Sequence, residues 1–243
     1  MGLTKRQKII LNTLIKEYID NASPVSSQVL EESYNFNVCS ATIRREMQLL
    51  TKEGFLYQIH ISGGRMPTDK GYRFFVDHLI KKREEEEDQV GKPQLKELNK
   101  KKENLLKFVQ SLLKAISTSS STLSIAYLLN EDFLWKEGWT EILKEPEFKN
   151  SDTRESFLHL AKAIENYIKD FSQEKELDFK VFIGSENPVT NDKEFSLIIS
   201  RCPVEKKEDS LIALLGPKRM GYQRNISLIS SIKKQLIEDL LKE

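Results

Sequence analysis

Cysteine, histidine and long apolar runs are scarce in this sequence. Its 243 residues include two cysteines, Cys39 and Cys202, and three histidines. Two cysteines exclude a disulfide framework and fit a reducing compartment. No apolar run approaches the roughly 18 residues that span a bilayer, and the N-terminus has no signal-peptide apolar region. We therefore expect a cytoplasmic protein that does not act at a membrane.

Residue patterns for the common catalytic chemistries are missing as well. The sequence has no glycine-rich loop of Walker or Rossmann spacing. Its histidines, His60, His78 and His159, are far apart and are not combined with cysteines at metal-ligand spacing. The sequence therefore predicts a protein that is not an enzyme and that needs no metal and no cofactor.

Charge is balanced over the whole chain and uneven only locally. The formal net charge is +1, so the protein as a whole is not a polycation. Residues 40–73 nevertheless hold six basic against three acidic side chains. Because this excess is mild, it favours recognition through shape over general electrostatic adhesion to nucleic acid.

Residues 40–76 are the part of the chain around which the rest is organised. Ile43, Met47 and Leu50 recur at the spacing of a single apolar stripe on a helix. Gly54 follows where the C-terminus of a helix favours a residue that tolerates positive φ. We expect an amphipathic helix whose opposite face is polar and basic.

The residues around this helix complete a small recognisable pattern. Ser40 is a candidate cap for its N-terminus, and residues 55–59 alternate like a short strand. A glycine-rich turn then ends in Arg65, and Thr68 is a candidate cap for a further helix. Upstream, a helix begins at Thr4 and a short second helix follows a proline. This order of elements predicts a winged helix-turn-helix.

The predicted polar helix face and the turn carry side chains suited to DNA. Arginine and glutamine read base edges through paired hydrogen bonds. For the major groove we expect Thr42, Arg44, Arg45 and Gln48. The arginine in the thin loop, Arg65, is expected to enter the minor groove. Expected phosphate contacts, and further residues near them, are Lys5, Arg6, Ser27, Ser40, His60, Lys70 and Arg73.

The same residues also admit plainer interpretations. Winged helices serve as protein-docking modules as well as DNA readers, and surface charges are often only solvated. Serines at helix starts, such as Ser26 or Ser27, are commonly structural caps. The pattern alone therefore leaves DNA binding and protein docking both open.

A charged segment, residues 81–104, separates the first part of the chain from a second one. We expect a winged-helix domain at 1–80, a charged linker at 81–104 and a regulatory domain at 105–243. The predicted second domain contains a helix to Ile116, a polar break at 117–121 and a strand at 122–129. A helix over 135–148 comes next, followed by a helix capped by Asp152, strands at 179–183, 195–200 and 211–215, and a final helix. We expect the turn around Lys218 and Arg219 to leave both cations in water, and an anion site between strand and helix is the alternative.

Several local motifs are similar to the family of heat-inducible transcription repressors HrcA. They are Leu3-Thr4-Lys5-Arg6-Gln7, Ser40-Ala41-Thr42-Ile43-Arg44, Gly64-Arg65-Met66-Pro67-Thr68 and Lys70-Gly71-Tyr72-Arg73. Pieces such as Gly216-Pro217-Lys218-Arg219-Met220 extend the resemblance into the second half. Typical members are longer, with an inserted dimerisation region between the segments around Leu128 and Glu137. The resemblance implies an α+β fold, a winged helix followed by a reduced GAF-like α/β domain.

The resemblance also implies a function and partners. It implies a repressor of chaperone operons in the heat-shock stress response. It would bind an inverted-repeat operator of the CIRCE type as a homodimer, and a chaperonin would keep it active. Because the middle region is short, the predicted helices 95–116 and 222–241 are the best apolar surfaces for pairing. Two alternatives remain open, an effector-gated regulator that senses a small molecule through residues 105–243 and a protein-interaction module.

Overall fold

The computed structural model describes residues 2–60, 63–85, 105–173, 179–189, 192–205 and 208–241. They form helices and antiparallel sheets, an α+β fold, and the chain divides into two compact units, 1–85 and 86–243. Unit 1 contains helices α1 (Lys5–Asn21), α2 (Ser27–Ser33), α3 (Ser40–Lys52) and α4 (Asp69–Glu85) and strands β1 (Leu56–Tyr57) and β2 (Met66–Pro67). Of the expected linker at 81–104, residues 86–104 lie outside the described part.

Unit 2 is built on five of the seven strands. Its strands are β3 (Leu123–Leu128), β4 (Phe133–Glu137), β5 (Phe179–Ile183), β6 (Phe195–Glu205) and β7 (Glu208–Pro217). Its α-helices are α5 (Leu105–Ser120), α6 (Trp139–Ile142), α7 (Ser151–Phe171) and α8 (Tyr222–Leu241). Two short 3₁₀ helices lie at Pro146–Lys149 and Gly184–Glu186. Among the described residues, no helix is both long and apolar enough to cross a membrane.

Polar side chains fix where the first helices begin. Thr4 caps α1 reciprocally, since its hydroxyl accepts from the Gln7 N–H and the Gln7 side chain accepts from the Thr4 N–H. Ser26 caps α2 by accepting from the Val29 N–H at 3.1 Å. The prediction that Ser40 caps α3 is wrong, because the extended residue before the helix is Cys39 and Ser40 is already the first helical residue.

The core of unit 1 forms where α3 meets its neighbours. Ile43, Met47 and Leu50 are fully buried, which confirms the predicted apolar stripe. The helix contacts α1, α2 and β1. Gly54, just beyond its end, has a φ of +78°, as the helix ending required. The stripe therefore fixes how α3 is rotated about its axis, and with it which side chains face outward.

The small sheet of unit 1 is shorter than predicted. β1 and β2 are antiparallel and contain two residues each, so His60 lies in the turn after β1 and not on a strand. Thr68 accepts a hydrogen bond from the Gly71 N–H at 3.1 Å, which places it at the N-terminus of α4 as expected. Its own hydroxyl donates to the Gly54 carbonyl at 2.6 Å and so ties α4 to the end of α3.

Unit 2 consists of one sheet with helices on its two faces. The strand order is β4-β3-β7-β6-β5, and every pairing is antiparallel. Alternate residues of β3, β6 and β7 pack with α7 in one apolar cluster that includes Leu123, Leu197 and Phe157. Helices α5 and α8 contact β3 and β6 respectively, and also contact each other. The predicted strands are confirmed, with β5 at the predicted residues and β6 and β7 longer.

Three predictions for unit 2 are wrong in detail. Trp135 lies in β4 and not in a helix, because residues 133–137 pair with β3. The polar stretch 117–121 does not break α5, since Ser117 and Ser120 are buried helical residues. The cap of α7 is Asn150 and not Asp152, because the side-chain amide oxygen of Asn150 accepts a hydrogen bond from the Asp152 N–H at 2.7 Å.

Candidate nucleic-acid interface

The outward face of α3 carries three polar side chains that the fold leaves uncovered. Arg44, Arg45 and Gln48 are exposed, and Thr42 is half-buried beside them. They are on this side because the buried stripe of α3 occupies the other. The structure therefore brings together the four residues predicted for base contacts on one helix surface.

Two of these residues are cations without a carboxylate partner. Neither Arg44 nor Arg45 forms an ion pair with any described residue. By contrast, Arg6 of α1 lies 3.7 Å from Glu46 of α3, although more than half of the Arg6 side chain stays exposed. A surface pair of this kind is weak and competes poorly with a more strongly charged ligand. The positive charge on α3 is thus available to an anion.

An exposed thiol, that of Cys39, lies at the N-terminus of α3 but forms no capping hydrogen bond with its backbone. The Cys39 sulfur lies 3.5 Å from the Thr42 hydroxyl oxygen. Hydrogen bonding to Thr42 lowers the pKa of the Cys39 thiol below its usual value. Cys39 was not among the residues predicted for the site, although its place directly before the Ser40 helix was visible in the sequence. Its contact orients the hydroxyl of one of the predicted base readers.

Arg65 does not project from the loop, so the prediction that it reaches out into a minor groove is wrong. Its exposed fraction is 8%, and its Nε donates to the Thr51 hydroxyl of α3 at 3.1 Å. Burial lowers the pKa of the Arg65 guanidinium, and the neighbouring charge of Arg44 lowers it further. Thr51, seven residues after Arg44 on α3, was also not predicted, although this spacing places both on one side of the helix.

The backbone explains why Arg65 lies inward. Its N–H donates to the Val25 carbonyl at 2.8 Å, and its carbonyl accepts from the Val25 N–H at 3.0 Å. The preceding residue, Gly64, passes so close to Pro24 that a Cβ atom there would lie 2.6 Å from the Pro24 carbonyl group. The segment before β2, which carries Arg65, is therefore fastened to the connection between α1 and α2.

Two expected phosphate contacts are occupied within the protein. The Lys70 ammonium donates to the Glu53 carbonyl at 2.7 Å and lies 4.3 Å from the centre of the Phe55 ring. Arg73 pairs with Asp77 at 3.3 Å, one turn along α4. Lys70 thus satisfies a carbonyl at the end of α3, a structural role that sequence reasoning did not separate from a phosphate contact.

The remaining predicted residues differ in exposure. Lys5 and His60 are exposed, and Ser40 is half-buried. The Ser27 side chain is 5% exposed, so its hydroxyl is not presented to a ligand. Lys5, Arg6 and His60 are thus accessible to a ligand, and Arg6 lies next to α3 through Glu46.

The arginine at the turn after β7 of unit 2 is paired with acidic side chains. Arg219 was expected in water, but its guanidinium bonds to Glu147 and Glu145, each at 2.6 Å. Burial disfavours its charge, yet the hydrogen bonds and charges of these two glutamates outweigh burial and raise the pKa of Arg219. Among the residues that the structure describes, no group of histidine, cysteine and acidic side chains is arranged to hold a metal.

Trp135 and Trp139 are both packed against other rings. Trp139 meets Phe157 of the core edge-to-face, with ring centres 6.3 Å apart. Trp135 stacks on Phe133, its neighbour on the same face of β4, at 6.0 Å. Trp139 is thereby assigned to the core of unit 2.

Comparison with known proteins places the chain among bacterial regulators. A heat-inducible transcription repressor HrcA of Thermodesulfovibrio yellowstonii is 29% identical over 343 aligned residues, covering 98% of both chains. Because the alignment is longer than the 243 residues of this chain, the relative carries additional segments. Another HrcA repressor, from Chloroflexus aurantiacus, is 49% identical over 80 residues, which are 33% of this chain and 22% of the relative.

The overall fold has a counterpart among solved structures. A crystal structure of a hypothetical protein superposes with a TM-score of 0.80 over 99% of both chains, at 18% identity. A family model described as HrcA protein C terminal domain matches residues 69–226, well over half of the sequence. The named relatives are transcription repressors, a class of regulators and not of enzymes. On this match, together with the near full-length alignment, the chain belongs to the HrcA family.

Proposed function

We propose that the protein is a sequence-specific DNA-binding transcriptional repressor. In this proposal unit 1 is a winged helix-turn-helix, in which α3 enters the major groove and the β1–β2 hairpin is the wing. The observation that carries it is the α3 face, on which Arg44, Arg45 and Gln48 are exposed and the two cations have no carboxylate partner among the described residues. Such side chains read base edges at close range.

The names of the relatives support a proposal for the regulated genes. Proteins aligned over nearly the whole chain are named heat-inducible transcription repressors. We therefore propose control of heat-shock chaperone operons through an inverted-repeat operator of the CIRCE type. In this proposal unit 2 is a reduced GAF-like domain, supported by its single antiparallel sheet with helices on both faces.

An inverted repeat requires two DNA-binding heads, so the proposal includes a homodimer. A single head of this kind covers one half-site, and two-fold symmetry of the protein matches that of the operator. Unit 2 supplies apolar side chains that its own fold leaves uncovered on the two candidate helices: Leu106 on α5, and Ile237 and Leu241 on α8. They support these helices as the pairing surface.

The test of DNA recognition is selection of duplexes from a random pool, followed by binding measurements on variants. Arg45→Ala and Gln48→Ala should each cost about 1–3 kcal/mol on the selected operator and relax preference at particular base pairs. Lys16→Ala, which removes an exposed cation of α1 outside the site, is the matched control. Failure to enrich any palindrome, or equal losses for Lys16→Ala, would refute the proposal.

Heat provides a separate test of the proposed chaperonin partner. A domain of modest stability exposes apolar surface when it unfolds, and that surface is what a chaperonin binds. Operator binding should decay irreversibly when the purified protein is held at heat-shock temperature, and chaperonin with ATP should slow the loss. Full recovery on cooling without chaperonin would exclude this mode of induction.

A further inference from the structure

Arg65 is an uncommon residue for its surroundings, because it is a nearly buried cation and no carboxylate of the described residues pairs with it. Its exposed fraction is 8%, and the hydrogen bond of its side chain is to a neutral hydroxyl, that of Thr51. No carboxylate pairs with it among the described residues. Buried charges are ordinarily paired, since an unpaired one loses its hydration without compensation. The position therefore lacks a negative group.

A second cation, Arg44, acts electrostatically on Arg65 and increases the positive charge that has no acidic partner. Arg44 is close enough for its charge to act on Arg65, and it too has no acidic partner in the described part of the chain. Arg65 bonds to Thr51, which lies on the same side of α3 as Arg44, and two cations on that side repel each other less when an anion lies near both. Guanidinium groups match the oxygen geometry of a phosphate, to which they donate two parallel hydrogen bonds.

The surrounding structure holds this pair in place. Arg65 is fixed at its backbone by two hydrogen bonds to Val25 and at its side chain by Thr51 of α3. Arg44 projects from the same helix two turns before Thr51. The two cations thus lie on the side of α3 that meets the segment before β2.

We propose that Arg44 and Arg65 form a phosphate site, which takes one backbone phosphate of duplex DNA beside the groove entered by α3. The inference rests on the proposed function. It gives Arg65 a backbone contact in place of a minor-groove one and Arg44 a backbone contact in place of a base contact, so base reading is left to Thr42, Arg45 and Gln48. A backbone contact fixes the register of the protein on DNA and carries no sequence preference of its own. The phosphate supplies the negative charge that the two guanidinium groups lack.

The inference predicts how binding changes with salt. Binding weakens as salt rises, and each lost phosphate contact reduces the magnitude of the slope of log K against log salt by about 0.9. Arg65→Met removes the charge and keeps an apolar stem, so it should lower this slope by about one. It should also weaken operator and unrelated duplex by the same factor, leaving their ratio unchanged. Arg65→Lys keeps the charge and should keep most of the slope, and Lys16→Met is the control for loss of a distant cation.

The measurement is fluorescence anisotropy of the full chain on labelled duplexes between about 50 and 200 mM KCl. An unchanged slope for Arg65→Met, or a collapse of the operator-to-unrelated ratio, overturns the phosphate assignment. If the wild type shows no preference between the duplexes, the proposed repressor function fails instead. The two failures are therefore distinguishable.

A second measurement needs neither DNA nor a substitution at Arg65. Inorganic phosphate should raise the melting temperature of unit 1 in the full chain above its value in chloride of equal ionic strength. Arg44→Gln should abolish most of that rise, because one of the two guanidinium groups is then lost. A rise that is equal in wild type and Arg44→Gln, or no rise in wild type, overturns the site.

Discussion

Replacement of Gly64 by alanine tests how closely the segment before β2 packs against Pro24 and Val25 of unit 1. A Cβ atom at Gly64 would lie 2.6 Å from the carbonyl carbon and oxygen of Pro24 and 2.7 Å from the Val25 nitrogen. Ordinary contacts of this kind begin near 3.4 Å, and all three atoms belong to the backbone, so no side chain can rotate away. The two segments must separate by most of an ångström.

The cost follows from what that separation breaks. Overpacking a close contact typically costs about 1–3 kcal/mol. The two Val25–Arg65 backbone hydrogen bonds, at 3.0 and 2.8 Å, would be stretched beyond bonding range, at about 0.5–1.5 kcal/mol each. Alanine restricts the unfolded chain and returns about 0.4–1 kcal/mol. We expect Gly64→Ala to destabilise unit 1 by about 2–4 kcal/mol, since the losses exceed the gain.

The distribution of tryptophan provides the assay. Both tryptophans, Trp135 and Trp139, belong to unit 2, so their fluorescence in urea reports that unit alone. Circular dichroism reports the helices of both units. Gly64→Ala should shift an early circular-dichroism transition to lower urea and leave the fluorescence transition in place. Gly2→Ala, where a Cβ would meet nothing within 4 Å, is the control. A circular-dichroism curve of Gly64→Ala that superposes on that of Gly2→Ala would show the close approach to be absent.

Three further predictions concern single side chains. Arg219→Met should destabilise unit 2 by about 2–4 kcal/mol in urea unfolding followed by fluorescence, because it leaves two partly buried glutamates facing each other without their cation. Lys70→Met should lower the free energy of unfolding of unit 1 by up to about 1 kcal/mol, because the hydrogen bond of Lys70 to the Glu53 carbonyl is lost. The slope of log K against log salt for DNA binding should stay unchanged. A decrease in the magnitude of this slope by about one would show that Lys70 contacts a phosphate. Cys39 should react with iodoacetamide faster than an ordinary exposed thiol near neutral pH, because its lowered pKa raises the thiolate fraction, and Thr42→Val should slow that reaction. Equal rates before and after Thr42→Val, measured by mass spectrometry, would exclude the hydrogen bond as the cause.

Local patterns in the sequence were sufficient for most helices and strands. The stripe of Ile43, Met47 and Leu50 predicts both the helix and its buried face, since side chains three and four apart share a side. The capping residue Thr4 and the strand 179–183 were likewise visible from short-range spacing. These features depend on neighbours within a few residues, so one sequence contains all the necessary information.

The errors concern residues whose partners are distant in sequence. Arg65 was placed at a loop tip because glycines precede it, but its backbone pairs with Val25, forty positions earlier. The sequence predicts a helix over 135–148 that ends near Pro146, whereas pairing with β3 makes residues 133–137 a strand. Arg219 was expected in water, and the glutamates that neutralise it lie more than seventy positions earlier. No local pattern reports contacts of this kind.

Cations of unit 2 that are paired with acidic side chains differ from the exposed cations of α3 in what they can contribute to DNA binding. Cations of unit 2 such as Lys169 and Arg219 lie 2.6 Å from acidic partners, so they contribute little field at a distance. With a net charge of +1, the chain as a whole has little long-range attraction for DNA, so under the proposed function the affinity depends on local contacts such as those of the exposed cations on α3. A single head with so few phosphate contacts binds weakly at physiological salt. Joining two heads makes the second contact intramolecular and raises the affinity by orders of magnitude without any new contact. Under the proposed function, the pairing of two copies is therefore the step whose loss releases DNA, and any stress that loosens the pairing surface derepresses without touching α3.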